Sequence, residues 1–247
     1  MRTSRLLAGV FAAAAVATMA PAAHADDGAD RPANDRRVIA TSVGGREIVA
    51  RHYGALDAPV QLVVLGQMHG SEPGGRTVAA EVASRRIPDG VGVWVVGSMN
   101  PDGAARGTRA NARGVDLNRN FPEAWAPSGR GVYWSGHRAA SEPETRGMIR
   151  FLTAVRPTAV LSYHQAFDVV DITHPRSRAA GRRLAAWMGE RAASVPCSGP
   201  CHGTLTQWVD RTLKSIAITV ELDGRVSRAE TNRAAAAVLR LGTWLGR

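Results

Sequence analysis

An α/β domain with a largely parallel sheet, covered by helices on both faces, is predicted by three features of the sequence. Short apolar runs alternate with amphipathic, alanine-rich segments along the chain. Such alternation is the pattern of strands buried on both sides between crossover helices. The length suits one hydrophobic core, and no linker, repeat or low-complexity segment divides it.

The elements follow in order. Arg46–Tyr53 and Val60–Gly66 read as strands, the second on the run Val60, Leu62, Val63, Val64, Leu65. Gly74–Arg86 reads as a helix with Pro73 near its first turn. "VGVWVVGSMN" is a strand ended by the turn "NPDG", Asn100–Gly103. In "SEPETRGMIRFLTAV", Ser141 is the expected N-cap, acids occupy the first turn, and Met148, Ile149, Leu152 and Val155 have helical spacing. A strand at Ala159–His164, a helix over Ser177–Ala193, a strand at Ile216–Leu222 and a closing helix over Ser227–Leu245 complete the pattern.

The chain opens like an export signal. Arg2 and Arg5 precede the apolar stretch Leu6–Ala20, and Ala23-His24-Ala25 has the small-x-small form of a cleavage site. Fifteen apolar residues fall short of the about 20 that a membrane span needs. Cleavage near Ala25 is therefore expected, with a secreted, periplasmic or wall-located product and no stable membrane anchor. Removing 25 residues from 247 leaves 222. Asp26–Arg37 is polar and reads as a mobile N-terminal lead, and residues 38–247 as the single domain.

Of the 31 basic residues, 29 remain after Arg2 and Arg5 are removed, against 21 acidic ones, a net charge near +8. Lys214 is the only lysine. This balance draws the protein to anionic surfaces such as a bacterial wall. Nucleic acid is not expected as a partner, because no basic run carries interleaved aromatics. Cys197 and Cys201 in "PCSGPCHG" are most simply a disulfide pinning a loop in an oxidising compartment.

The chemistry-bearing residues lie where strands end. His69 and Glu72 follow the second strand in "MHGSEPGG", His164 ends "TAVLSYH", and Glu221 interrupts the apolar "IAITVEL". Each alone is a weak signal, since a lone His-x-x-Glu arises by chance and a single histidine is usually structural. Together, two histidines and a glutamate form the ligand set of a catalytic zinc site with a fourth position for water. Glu221 is then the candidate to take that water's proton. Around "GTRANARGVDLNRNFP", Arg106 just before it, Arg113 within it and Arg130 further on read as solvated charges. Arg109 and Arg119 are candidates for fixed donors to a substrate carboxylate and an oxyanion.

"GQMHGSEPGG", "NPDG", "RANARGVDLNRNFP", "SEPET", "SYHQ" and "ITVELDG" resemble, in this order, the motifs of the M14 zinc carboxypeptidase family, from about Gly66 to Gly224. They look most like its murein-peptide amidase branch, which cleaves peptidoglycan stem peptides at diaminopimelate. The resemblance implies one Zn2+ per chain on His69, Glu72 and His164, with Glu221 as general base and then acid. It implies Asn118 and Arg119 on a substrate carboxylate and Arg109 on the oxyanion. It implies a mixed eight-stranded sheet with helices on both faces. Gly70 would let the backbone pass close to the metal. Many family members place a tyrosine over the substrate some twenty residues before the catalytic glutamate. Here that segment is "PCSGPCHGTL", so the role is absent or falls to His202.

A peptide substrate, from the cell wall, and a monomeric enzyme are the expectations. A general carboxypeptidase is the alternative. Asp168, Asp171 and Asp223 are the acids that could meet a diaminopimelate amine, and each also suits an ordinary loop. A deacylase of small acidic amides fits less well, because the segment after "DLNRNFP" follows the peptidase pattern. A non-catalytic wall-binding module is disfavoured because no ligand or base is broken, and a serine hydrolase because no Gly-x-Ser-x-Gly is present.

Overall fold

The computed structural model of the chain describes residues 33–195 and 202–247. Within them β1 (Asp35–Thr41), β2 (Glu47–Gly54), β3 (Val60–Leu65), β4 (Val91–Val96), β5 (Ala159–Gln165), β6 (Val169–Asp171), β7 (Arg191–Ala193) and β8 (Ile216–Leu222) make one eight-stranded sheet. Its order is β1-β2-β4-β3-β5-β8-β6-β7. The central strands β4, β3, β5 and β8 run parallel. The pairs β1–β2, β2–β4 and β8–β6 are antiparallel, giving the mixed sheet that the family resemblance implies.

Alternation along β3 shows why both faces must be covered. Leu62 and Val64 enter one core with Val78 and Val82 of α1 (Gly74–Ser84), Leu184 of α4 (Arg178–Met188) and Val238 of α6 (Arg228–Leu245). Val63 and Leu65 enter the other, with Met148 and Leu152 of α3 (Pro143–Val155) and Leu205 and Trp208 of α5 (Leu205–Trp208). All four strand side chains are fully buried. Each contributes about 1.5–3 kcal/mol through burial, so a polar residue on either face would be costly.

This layering also creates the site. β3 connects to β4 through α1 on one face, and β4 connects to β5 through α3 on the other. In the sheet β3 continues to β4 on one side and β5 to β6, beyond β8, on the other, so the chain leaves these neighbours in opposite directions and opens a crevice at their carboxyl ends.

Several boundaries depart from the sequence reading. Asp35–Arg37 belong to β1, paired with β2, and not to a polar lead. "NPDG" starts a helix, α2 (Pro101–Arg106), because the Asn100 side chain accepts the Gly103 amide and Pro101 fits the first helical position. The cap of α3 is Glu142, and the Ser141 hydroxyl instead donates to the Glu142 carboxylate at 2.7 Å. α1 ends at Ser84, since Arg85 is extended. α4 stops at Met188 because Gly189 turns left-handed (φ 79°), and Arg191–Ala193 pairs with β6 as β7. α6 runs Arg228–Leu245 with Ser227 as its cap, in a reciprocal capping box with Glu230. Among the described residues no helix is long and apolar enough to cross a membrane. The export signal and the Cys197–Cys201 pair lie outside the described residues.

Candidate metal centre

The turn after β3 carries His69 and Glu72, closed by a bond from the Glu72 amide to the His69 carbonyl at 3.1 Å. His164 and Glu221 are the penultimate residues of β5 and β8 and stand directly opposite in register. Paired residues of parallel strands project to one face, so the topology alone brings the four side chains together. One potential ligand atom from each of His69, Glu72 and His164 lies within 4.8 Å of the others.

The ring nitrogens sort themselves. His69 Nδ1 lies 2.9 Å from Glu72 Oε1, and His164 Nδ1 lies 3.0 Å from Glu72 Oε2. The two Nδ1 atoms face each other at 3.2 Å. The opposite nitrogens are engaged outside the cluster, His69 Nε2 with Asp116 at 3.1 Å and His164 Nε2 with Ser162 at 3.2 Å. Such outer partners hold the rings of metal ligands in orientation.

Burial opposes charge throughout this cluster, and the pairing outweighs it. His69 is pulled above its ordinary pKa by Asp116 and Glu72 despite desolvation. Glu72, with His164 and His69 against it, and Asp116, beside His69 and the arginines, are held well below the usual carboxylate range. Glu221 moves the other way. Burial, reinforced by the Glu72 charge, raises it, and its Oε2 is buried with no hydrogen-bond partner.

The arginines stand on the wall of the same 150 Å³ cavity. Arg109 donates through Nε to Asp116 at 3.0 Å and through Nη1 to Glu72 at 3.3 Å. Asn118 accepts the Leu205 amide on Oδ1 at 3.0 Å, leaving its NH2 to donate. Arg119 is buried, with Nη1 on the Asn118 carbonyl at 2.8 Å and Nε unpartnered. The Tyr133 ring lies 5.2 Å from the Arg109 guanidinium and 5.3 Å from that of Arg119. Gly203 (φ 65°) braces this turn, since a side chain there would overlap the Arg119 carbonyl.

All seven predicted site residues, His69, Glu72, His164, Glu221, Arg109, Asn118 and Arg119, thus line one cavity. Asp116, Ser162 and Tyr133 were not singled out by sequence reasoning. Asp116 had a signal in "VDLN", a carboxylate between the apolar Val115 and Leu117. Gly70 is also needed for packing, since a Cβ there would collide with the Gly103 carbonyl carbon. His202 is not among the cavity-lining residues. Of the three acids considered for amine recognition only Asp171 reaches the cavity, and its Oδ1 is engaged by Thr173 and the Val195 amide. Arg113 and Arg130 are structural, on Glu142 and over Trp134 respectively.

Residues 32–186 match the zinc carboxypeptidase family, Peptidase M14. The chain belongs to the zinc carboxypeptidase family. Murein peptide amidase A of Escherichia coli K12 is 38% identical over 104 residues, 37% of this chain and 42% of the relative. The Vibrio campbellii murein peptide amidase A is 36% identical over 110 residues, 39% and 42% of the two chains. These alignments span about two fifths of the length of each relative. The solved murein-tripeptide amidase MpaA from E. coli O157 superposes with a TM-score of 0.74 at 24% identity, over 89% of this chain and 96% of that one. Carboxypeptidase A from Helicoverpa armigera gives 0.68 at 16%, over 86% and 68%. Both structural likenesses are of fold.

The family is that of zinc carboxypeptidases, whose cofactor is zinc, and the donor set fits that ion. Two imidazoles and a carboxylate are the ligands of open zinc sites. Ligands about 2.0–2.1 Å from one tetrahedral ion stand about 3.3 Å apart, close to the observed separation of the two Nδ1 atoms.

Proposed function

We propose that this chain is an exported zinc peptidase that hydrolyses an amide bond near a terminal carboxylate in peptidoglycan stem peptides, at the γ-D-glutamyl-diaminopimelate bond. The observation that carries the reading is Glu221. Its unpartnered, buried oxygen faces the cluster of His69, Glu72 and His164 without belonging to it, and burial has raised its proton affinity. A group so placed is a proton acceptor waiting for a substrate or a water.

When bound, zinc lowers the pKa of a coordinated water toward about 7 and polarises a carbonyl. Glu221 takes the attacking water's proton and returns it to the leaving amine. Arg109 is positioned to neutralise charge developing on the carbonyl oxygen. Asn118 and Arg119 grip the terminal carboxylate from the cavity wall. Asp116 and Ser162 keep the two imidazoles turned inward. The rest of the cavity lining mixes polar groups, Thr173, His174, Thr204, Thr206 and Gln207, with the apolar Phe167 and Val195.

The test is incubation of the zinc-loaded chain with L-Ala-γ-D-Glu-diaminopimelate and, separately, with blocked peptides ending in Phe or Arg. Each reaction is followed by mass spectrometry with and without a chelator. Chelator-sensitive cleavage of the tripeptide alone is expected. Cleavage of only the Phe or Arg peptides would make this a general metallocarboxypeptidase, and no cleavage of any would sink the enzymatic reading.

A further inference from the structure

On the opposite side of the metal-binding turn lies a second, larger concavity of about 1050 Å³, between β2, β4, α1 and the start of α6. Arg51, Arg76 and Arg228 stand on its walls, all exposed, and among the described residues none of their side chains is in an ion pair or hydrogen bond. Among the described residues Glu81 is the sole acid of the lining, and Arg85 pairs with it at 2.9 Å. Three uncompensated cations converging on one groove exceed what solubility asks of a surface, since most charged faces intersperse both signs. Their summed field attracts a multivalent anion and little else.

Position matters as much as charge. Val226 lines this groove and Gln165 lines the metal cavity, and a side chain at Gly74 would meet both. Gly74 is itself tied to Gln165 by a 2.7 Å hydrogen bond. One layer of residues therefore separates the two openings. A polymer lying in the groove presents its attached peptides beside the metal site.

We infer that the Arg51–Arg76–Arg228 groove is an exosite for a carboxylate-bearing wall polymer, holding the insoluble substrate while a stem peptide enters the metal cavity. This inference rests on the wall-peptide reading of that cavity. Association guided by such a cationic site weakens with salt, and tethering raises the local concentration of scissile peptides without new contacts at the reaction centre.

The test uses the full chain and its Arg51→Gln/Arg76→Gln/Arg228→Gln variant, both checked for equal thermal unfolding. Pelleting with purified sacculi, release of peptide from sacculi, and hydrolysis of soluble L-Ala-γ-D-Glu-diaminopimelate are measured at low and high salt. Sacculus binding and sacculus digestion should each fall about tenfold or more in the variant, with unchanged turnover of the soluble tripeptide. Sacculus binding equal to that of the unaltered chain would overturn the exosite. So would a concentration-dependent dimer abolished by the three substitutions, which would assign the groove to a second copy. If the unaltered chain does not cleave the soluble tripeptide, the wall-peptide reading fails. Pelleting still judges the groove by itself.

Discussion

His69 Nε2 and Asp116 Oδ1 meet at 3.1 Å, both fully enclosed, and the same carboxylate holds Arg109 through its other oxygen at 3.0 Å. One aspartate thus orients a proposed metal ligand and the arginine proposed to bind the oxyanion. Its charge also makes the imidazole a stronger donor.

Asp116→Asn retains the shape and removes the charge. Outer partners of this kind are worth about 10–100-fold in metal affinity. Competition with a chromophoric chelator should show zinc affinity about tenfold or more lower, and kcat should fall with Arg109 released. Unchanged zinc affinity would mean that Asp116 serves only the packing of the turn.

Glu221→Gln separates proton transfer from metal binding. General acid–base catalysis is worth about 10²–10⁴-fold, so kcat should fall by that range while zinc content stays at one per chain. The substitution should not destabilise the fold, because Oε2 has no partner to lose. A variant that loses its zinc would show that Glu221 is a ligand, and a fully active one would remove it from the mechanism.

The contrast between these residues shows what the sequence makes legible. His69, Glu72, His164 and Glu221 could be read because each interrupts or ends an apolar strand, a local pattern with a topological meaning. Asp116 meets His69 across 47 residues, and nothing in its neighbourhood announces that pairing. Tyr133 likewise touches Arg109 and Arg119 only through the folded loop. β7 has three residues and exists because β6 pairs with it, a contact that no period reveals. "NPDG" fits a turn and a helix start equally well, and the Asn100 cap decides between them. The sheet and the metal ligands thus follow from periodicity, whereas the supporting partners follow from long-range packing.

Outside the site, burial and the neighbouring Asp168 carboxylate push Glu190 up to about 7. Its folded pKa exceeds the unfolded value of 4.5, so the folded state binds the extra proton and stability from this group is full below that value. It is lost as pH rises toward and through 7. Glu190→Gln should therefore melt higher than the unaltered chain at pH 8 and at nearly the same temperature below about pH 4. Equal melting temperatures at pH 8 would show that the two carboxylates do not repel each other in solution.

The Tyr133 ring serves two cations that repel each other, Arg109 and Arg119. Its main chain is fixed, since the Tyr133 carbonyl accepts Ser128 Oγ at 2.9 Å and the next carbonyl accepts the Asp116 amide at 2.8 Å. The ring is thus a rigid surface against which both guanidinium groups settle, and it acts through them because it does not line the cavity. Each cation–π contact is worth about 0.5–1 kcal/mol at a half-exposed site, and about 1.4 kcal/mol is tenfold. Tyr133→Leu should raise KM about three- to tenfold, with a smaller loss in kcat as Arg109 drifts. Tyr133→Phe keeps the π-face and should behave as the unaltered chain. If Phe and Leu impair the enzyme equally, the hydroxyl and not the ring is what matters, with Arg109 held by Asp116 and Glu72 and Arg119 by the Asn118 carbonyl.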